Sequence, residues 1–141
     1  MQLERTIAKG QLVPFTFTQD DVAASQSAVD MNVGEVAAGA ALAITTQRVP
    51  YAFDVVGITA TLSAAGSAGT LTVEPEIATA QTGLTLAITT AVSAQSTQGR
   101  GLDTGSAGSL LSVRLTTDAG WNGTTSDLVV TVWCLLYLEG I

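Results

Sequence analysis

The sequence predicts an all-β protein, an antiparallel β-sandwich of seven or eight strands. From Pro50 onward, apolar and β-branched residues alternate with polar ones at a period of two, which is typical of half-buried strands. Breaks rich in glycine and serine separate these runs at nearly regular intervals. Convincing helical periodicity is absent, so the strands must bury their apolar faces against one another in two sheets or a barrel.

The length of 141 residues corresponds to one ordinary domain. Residues 1–12 are mixed and polar, and we expect an N-terminal arm there, followed by a single β-sandwich domain over residues 13–141. Leu3 and Ile7 are two of the apolar residues of this arm, and we expect them to contact a neighbouring subunit.

The first predicted strand is "VPFTFTQ", Val13–Gln19, where Pro14 favours an edge or leading position. The following segment lacks a clear period. It favours a short strand around Ala28–Val33 within a long connection, with a helical turn after Asp20 or Asp21 as the alternative.

Two alternating runs then flank the glycine-rich segment 63–69 and predict a hairpin. The residues expected to face the core are Val56, Ile58, Ala60 and Leu62 in the first run, and Leu71, Val73 and Ile77 in the second. Glu74 and Glu76 fall on the face predicted to be solvated, and Pro75 marks an edge position or a bulge.

Three further strands complete the predicted sandwich. Their expected core residues are Leu84, Leu86 and Ile88; then Leu111, Val113 and Leu115; and finally Leu128, Val130, Val132, Cys134, Leu136 and Leu138. The nineteen residues Ala91–Ser109 are long for a loop, so they are either functional or hide a short strand. The last strand is also apolar on its second face, which includes Trp133 and Tyr137. We therefore expect it to be central in the sandwich or to be covered by a partner chain.

Trp121, Asn122 and Gly123 lie between the last two predicted strands. Asn-Gly readily forms tight turns, so the sequence predicts a sheet corner here rather than a glycosylated asparagine. Trp121 would then lie at a loop tip, where an exposed indole is a good interface anchor. The alternative is that it folds back and closes its own sandwich.

The chain contains no histidine, which removes serine and cysteine triads, the usual zinc sites and the commonest general base. We therefore expect a protein that is not an enzyme and has no cofactor or resident metal. Oxygen-rich stretches at Asp20–Asp21 and Asp30–Glu35 leave a surface calcium ion open, although neither has the spacing of a calcium loop. Cys134 lies in the most apolar segment, as a core cysteine would.

Five basic and twelve acidic residues give a net charge of -7, and the basic residues are scattered. This disfavours binding to nucleic acids and to anionic membranes. The longest strongly apolar run, Leu128–Leu138, is far shorter than the ~20 residues of a membrane-spanning helix. Only 12% of residues are charged, about half the usual fraction. Such a surface suits permanent contact with other proteins.

Three segments, Gly57–Val73, Thr82–Thr89 and Leu115–Trp133, give the chain a resemblance to small structural proteins of tailed bacteriophages. The resemblance implies a β-sandwich, often of jelly-roll type, that assembles as a homotrimer. It further implies a location on the outer surface of the virion, after synthesis in the host cytoplasm, as a capsid cement (decoration) protein or a fibre module.

Two hypotheses follow. In the first, the protein is a capsid cement protein that binds the major capsid protein and itself, with Trp121, Asn122, Trp133, Tyr137, Leu3 and Ile7 as interface residues. In the second, it is a receptor- or carbohydrate-binding module of a fibre or baseplate that uses Trp121, Asn122 and the long glycine-rich loop.

Overall fold

The computed structural model describes residues 10–34 and 44–138, and all regular structure in these two ranges is β-strand. The predicted all-β class is therefore confirmed. The strands are β1 (Gln11–Gln19), β2 (Val29–Asp30), β3 (Gln47–Arg48), β4 (Phe53–Leu62), β5 (Leu71–Ile77), β6 (Ala80–Gln81), β7 (Leu86–Ile88), β8 (Ser93–Thr97), β9 (Thr104–Gly105), β10 (Leu110–Thr117) and β11 (Leu128–Leu136). Leu3 and Ile7 lie outside the described residues, and the division into arm and domain stays a prediction.

The strands form two antiparallel sheets that face each other across one core. Sheet 1 has the order β1-β11-β4-β8, with β9 also paired to β4. Sheet 2 has the order β2-β10-β5-β6, with β3 also paired to β10 and β7 to β5. The first strand lies beside the last, and the chain alternates between sheets as in a jelly roll. The predicted sandwich is therefore present, with the jelly-roll order of strands.

Three edge positions are each filled by two short strands, which explains why eleven strands occupy the eight positions of a jelly roll. β2 and β3 both pair with β10, β6 and β7 with β5, and β8 and β9 with β4. The predicted strand near Ala28–Val33 corresponds to β2, and the long segment Ala91–Ser109 does contain strands, β8 and β9.

Pro75 explains why the edge position beside β5 is divided between β6 and β7. Thr82 N donates to Pro75 O at 3.0 Å, so the Pro75 backbone points toward β6 and β7. Proline has no N–H to donate on that side, and a regular strand there would lose a ladder bond. The edge strand is accordingly broken between Gln81 and Leu86.

The core lies between the sheets and is almost purely aliphatic. Burial follows the predicted period of two in β7, β10 and β11, where the inward residues are nearly inaccessible and their neighbours are more exposed. Cys134 is fully buried, and burial raises the pKa of its thiol to about 12. The thiolate form is therefore suppressed at neutral pH, and Cys134 serves as a small apolar core residue.

A β-bulge in β4 corrects one predicted face. Gly57 pairs with Trp133, but Val55 pairs with Cys134, so Val56 is an extra residue without a partner in β11. The bulge shifts the alternation by one residue. Val55 is fully buried, whereas Val56, predicted to face the core, is only half-buried.

The predicted hairpin between β4 and β5 is wrong. β4 pairs with β11 and β8 in sheet 1, whereas β5 pairs with β10 in sheet 2. The segment 63–70 crosses from one sheet to the other. A glycine-rich connection of this length can span the sandwich as easily as it can close a hairpin.

Candidate assembly interface

The outer face of sheet 1 combines residues that the strand register places side by side. Directly opposed residues in antiparallel strands point to the same side of a sheet. Thr131, for example, lies opposite Thr16 in β1 and Thr59 in β4, and Thr59 lies opposite Gln95 in β8. We call this surface the neutral face: Leu12, Pro14, Thr16, Thr18, Gly57, Thr59, Thr61, Ser93, Gln95, Thr97, Val129, Thr131, Trp133 and Leu135.

None of these residues is charged, although the chain has a net charge of -7. Asp54, which the register places on the same side opposite Leu135, is buried. Threonine predominates, and two apolar side chains stand out from it: Leu12 is 54% exposed and Val129 is 43% exposed. Transfer of hydroxyl and apolar groups from water into a protein contact costs far less than transfer of carboxylates. The neutral face therefore costs less to bury than a charged surface would.

A groove crosses the neutral face beside Trp133. In this row Pro14, Trp133, Gly57 and Thr97 lie next to one another across the four strands. Gly57 contributes no side chain, so the row has room for one between Trp133 and Thr97, although the Gly57 backbone is itself buried. The groove has a volume of about 360 Å³, and Leu12 is among the side chains that line it.

Tyr137, Asp54 and Arg100 close one end of the neutral face. The Tyr137 hydroxyl donates to Asp54 Oδ2, and Gly101 N donates to the same oxygen at 3.1 Å. Arg100 Nη2 donates to the Tyr137 hydroxyl at 3.1 Å, and the guanidinium lies 5.2 Å from the centre of the tyrosine ring. The Asp54 carboxylate is only 2% exposed and takes its donors from its own chain. This cluster anchors the loop between β8 and β9 to the end of β11.

Trp121 is not exposed, which corrects the prediction of an indole at a loop tip. It is 2% exposed, and its Nε1–H donates to Val22 O at 3.1 Å. The indole closes the end of its own sandwich, the alternative that the sequence left open. A Cβ at Gly123 would lie 2.5 Å from the indole, so this glycine is required by the close packing of Trp121.

Asn122 holds two loops together from the surface. Its Oδ1 accepts from Ser67 N at 2.9 Å and from Ala68 N at 3.1 Å, and its Nδ2 donates to Ser67 Oγ at 2.7 Å. These bonds occupy the side-chain amide within the chain. The predicted turn therefore has a structural role that links it to the segment between β4 and β5.

The structure places the predicted interface residues in two separate regions. Trp133 lies in the middle of the neutral face and Tyr137 at one end of it. Trp121 and Asn122 belong to loops before the start of β11 at Leu128, at the other end of this strand. The described candidate residues therefore do not form one site.

Glu76 is a buried acid that the alternating pattern did not reveal. It was predicted to lie on a solvated face, but it is 2% exposed and its Oε1 lies 2.8 Å from Arg114 Nη2. Ser112 Oγ also donates to its Oε2 at 3.4 Å. Burial raises the pKa of Glu76, while Arg114 lowers it in part. Because Arg114 is adjacent in β10, the two side chains form a structural ion pair on the outer side of sheet 2.

Two kinds of feature are absent from the described residues. Within residues 10–34 and 44–138, no group of histidine, cysteine, aspartate and glutamate side chains is arranged to hold a metal ion. No helix in these ranges is long and apolar enough to cross a membrane.

Comparison with known proteins adds two distant structural likenesses. No protein family and no curated protein matches the chain. A chain of the cyanophage Pam1 capsid asymmetric unit is 16% identical, with a TM-score of 0.49 over 91% of this chain and 86% of that one. A chain of Desmodium yellow mottle tymovirus is 12% identical, with a TM-score of 0.29 over 90% of this chain and 87% of that one. Both TM-scores are below 0.5, so the fold assignment rests on the strand order described above.

Proposed function

We propose that this chain is a virion structural protein, a cement (decoration) protein that binds the outer surface of a phage head. In this proposal it assembles as a homotrimer and contacts the major capsid protein. The observation that supports the proposal is the neutral face: in a chain with a net charge of -7, the charged side chains on the outer side of sheet 1 are confined to its end, at Asp54 and Arg100. The phage-like segments of the sequence suggest the same role.

A cement protein must hold an assembled shell together. A cement protein stabilises a shell by binding the assembled state and not the separated subunits, so its effect follows mass action. It needs surfaces that release water cheaply and a fold that holds them rigid. The jelly roll meets the second need because β11, the centre of the neutral face, is flanked along its full length by β1 and β4.

In this proposal four of the six predicted interface residues are kept. Trp133 and Tyr137 belong to the contact surface of sheet 1, and Leu3 and Ile7 belong to an arm that extends over a neighbouring subunit. Trp121 is left out because it is buried, and Asn122 because its amide is bonded to Ser67 and Ala68. A carbohydrate site built on Trp121 and Asn122 would lack its stacking aromatic, so we do not propose the fibre module.

The test is the number of copies in purified particles, measured by quantitative mass spectrometry against the major capsid protein. We expect a copy number that is a fixed, large fraction of that of the capsid protein, and a position at three-fold or quasi-three-fold sites of the head in electron micrographs. A few copies restricted to the tail or to the vertices would contradict cementing and favour the fibre module.

A further inference from the structure

We infer that the neutral face packs against a neighbouring copy of this chain, and that the groove beside Trp133 receives a side chain of that copy. This inference rests on the proposed function, because it takes the neutral face as an assembly surface. It goes further by naming the occupant, which is this chain itself rather than the capsid protein.

The fold itself does not require glycine at position 57. Its φ angle lies outside the left-handed region that favours glycine. A Cβ there would lie 3.5 Å from Ser96 O, 3.6 Å from Trp133 Cβ and 3.7 Å from Thr97 Cγ2, which are ordinary van der Waals contacts. Glycine in the interior of a strand weakens it relative to alanine. Gly57 therefore destabilises the single chain without relieving any clash within it.

Other glycines of the chain show the contrast. A Cβ at Gly105 would lie 2.2 Å from Phe53 Cε1, and a Cβ at Gly69 would lie 2.1 Å from Trp121 N. Those two positions are explained by packing within the chain. Gly57 is explained if the groove it opens is filled from outside, because an interface close-packs like a protein interior.

Charge favours a second copy as the occupant. Two chains of -7 repel each other, and this repulsion is strongest where acidic loops meet; contact through the neutral face keeps those loops out of the interface itself. A partner selected by opposite charge would bind the acidic surfaces instead. The hydroxyl and amide groups of Thr59, Thr131 and Gln95 can each both donate and accept hydrogen bonds, so they can pair with the neutral polar groups of another copy.

The edge of sheet 1 beside β1 is a poor alternative for self-association. Pro14 has no N–H for an added strand. Thr18 N and O already bond to Asn32, at 2.8 and 2.9 Å, and Thr16 O accepts from Gln47 Nε2 at 3.1 Å. The β1 edge is therefore largely blocked, and the open face remains.

The neutral face accounts for about half of the area of a standard interface. Four strands about 4.8 Å apart, over seven residues that rise about 3.3 Å each, cover roughly 19 by 23 Å. A standard interface buries about 800 Å² of accessible surface on each partner. The corrugated neutral face supplies a substantial part of that area.

The decisive variant is Gly57→Val, which fills the groove with a residue that favours strands. We expect light scattering and sedimentation to show an oligomer for the unaltered protein, and a dissociation constant at least tenfold higher for Gly57→Val. We expect its melting temperature, measured under conditions where both proteins are monomeric, to stay the same or to rise. Gly99→Val is the matched control, because a Cβ at Gly99 meets nothing within 4 Å and Gly99 lies outside the neutral face. It should assemble normally.

A second pair of variants keeps the inference testable if Gly57→Val does not fold. Thr131→Glu places a carboxylate in the centre of the neutral face, and Ala87→Glu places the same charge on an exposed position of sheet 2. We expect only the first to dissociate the oligomer. Full assembly of Thr131→Glu, or an unaltered protein that is monomeric at all concentrations, would overturn the inference. If that monomer still bound phage heads at full copy number, the proposed cement function would stand, but the proposed homotrimer would not.

Discussion

At a few single residues, the pattern of the sequence predicts the wrong degree of burial. Trp121 was expected at the surface because it lies in a turn, but burial of a loop residue depends on which other loops cover it. The covering contacts come from Val22, 99 residues away along the chain, and from the segment that contains Gly66. Neither contact leaves a local signal, so the indole could be placed only once the fold was known.

The burial of Glu76 was also not predicted, and it has a measurable consequence for stability. Desolvation is the largest influence on its pKa and raises it; Arg114 lowers it, Asp30 and Glu74 raise it further, and the bond from Ser112 lowers it. A carboxyl whose pKa is higher in the folded than in the unfolded state binds protons more readily when folded. Its protonation therefore favours folding, and that advantage is lost as the pH rises through the folded-state pKa.

We predict that Arg114→Ala lowers the free energy of unfolding by about 3 kcal/mol at pH 7.5, because a buried carboxylate loses its partner. The loss should shrink as the pH falls, since the pKa of Glu76 rises further without Arg114 and the carboxyl then becomes neutral. Urea denaturation of both proteins at several pH values measures the difference.

The exposed Arg48 supplies the control for this prediction. Its Nη1 donates to Gly108 O at 2.6 Å and it has no ion pair with a buried acid among the described residues. Arg48→Ala should therefore cost little, and by the same amount at each pH. A destabilisation of Arg114→Ala that did not change with pH would mean that the guanidinium acts by packing rather than by charge.

At the scale of elements, the sequence predicts well wherever a strand is regular. In β7, β10 and β11 the period-two pattern identified the inward residues, because alternation of burial is a direct consequence of the pleat. It fails where the backbone departs from the pleat. The bulge at Val56 moves one residue out of phase with the alternation. Val55 and Val56 are both valines, so the sequence does not indicate which of the two faces the core.

Connections between elements were the other source of error. The segment 63–70 looked like a hairpin loop, yet its route is fixed by long-range bonds, including Thr70 N to Asp118 Oδ2 at 2.9 Å and the bonds of Asn122 to Ser67 and Ala68. The turn after β5 similarly depends on positive φ angles at Ala78 and Thr79, residue types that seldom adopt them. Tertiary packing thus overrides local preference at both places.

The bulge leads to a prediction about deletion. Removal of Val56 restores regular pairing of β4 with β11 and leaves Phe53, Val55, Ile58, Ala60 and Leu62 facing the core. We expect a folded protein that loses mainly the bond from Gln98 N to Val56 O, a cost of about 1 kcal/mol. Circular dichroism and thermal melting measure this.

Deletion of Thr59 is the comparison, because it also removes one residue of β4 that is outside the core. It inverts the alternation beyond this point, so Ala60 and Leu62 would turn away from the core. The cost should be about 3 kcal/mol or more, mostly from the loss of Leu62. Equal effects of the two deletions would show that the bulge is needed for folding in its own right.

At the scale of the whole molecule, the jelly roll separates the neutral face from the charge of the chain. The first and last strands pair in register from Gln11 with Leu136 to Gln19 with Leu128, which places β11 in the centre of sheet 1. Charged groups of the described domain lie at the ends of this sheet, as Asp54 and Asp127 do, or on sheet 2, as the Glu76–Arg114 pair does. Contact through the neutral face would thus bring two acidic bodies together without any salt bridge across the contact.

This arrangement predicts how salt affects self-association. Raising the ionic strength from about 0.01 M to about 0.15 M shortens the Debye length from about 30 Å to about 8 Å, so the repulsion between copies of net charge -7 is screened. We expect the dissociation constant of the oligomer, measured by analytical ultracentrifugation, to fall several-fold over this range. An interface held by salt bridges would weaken instead, because the same screening reduces their attraction. Weaker association at the higher salt concentration would therefore move the contact from the neutral face to a charged surface of the chain.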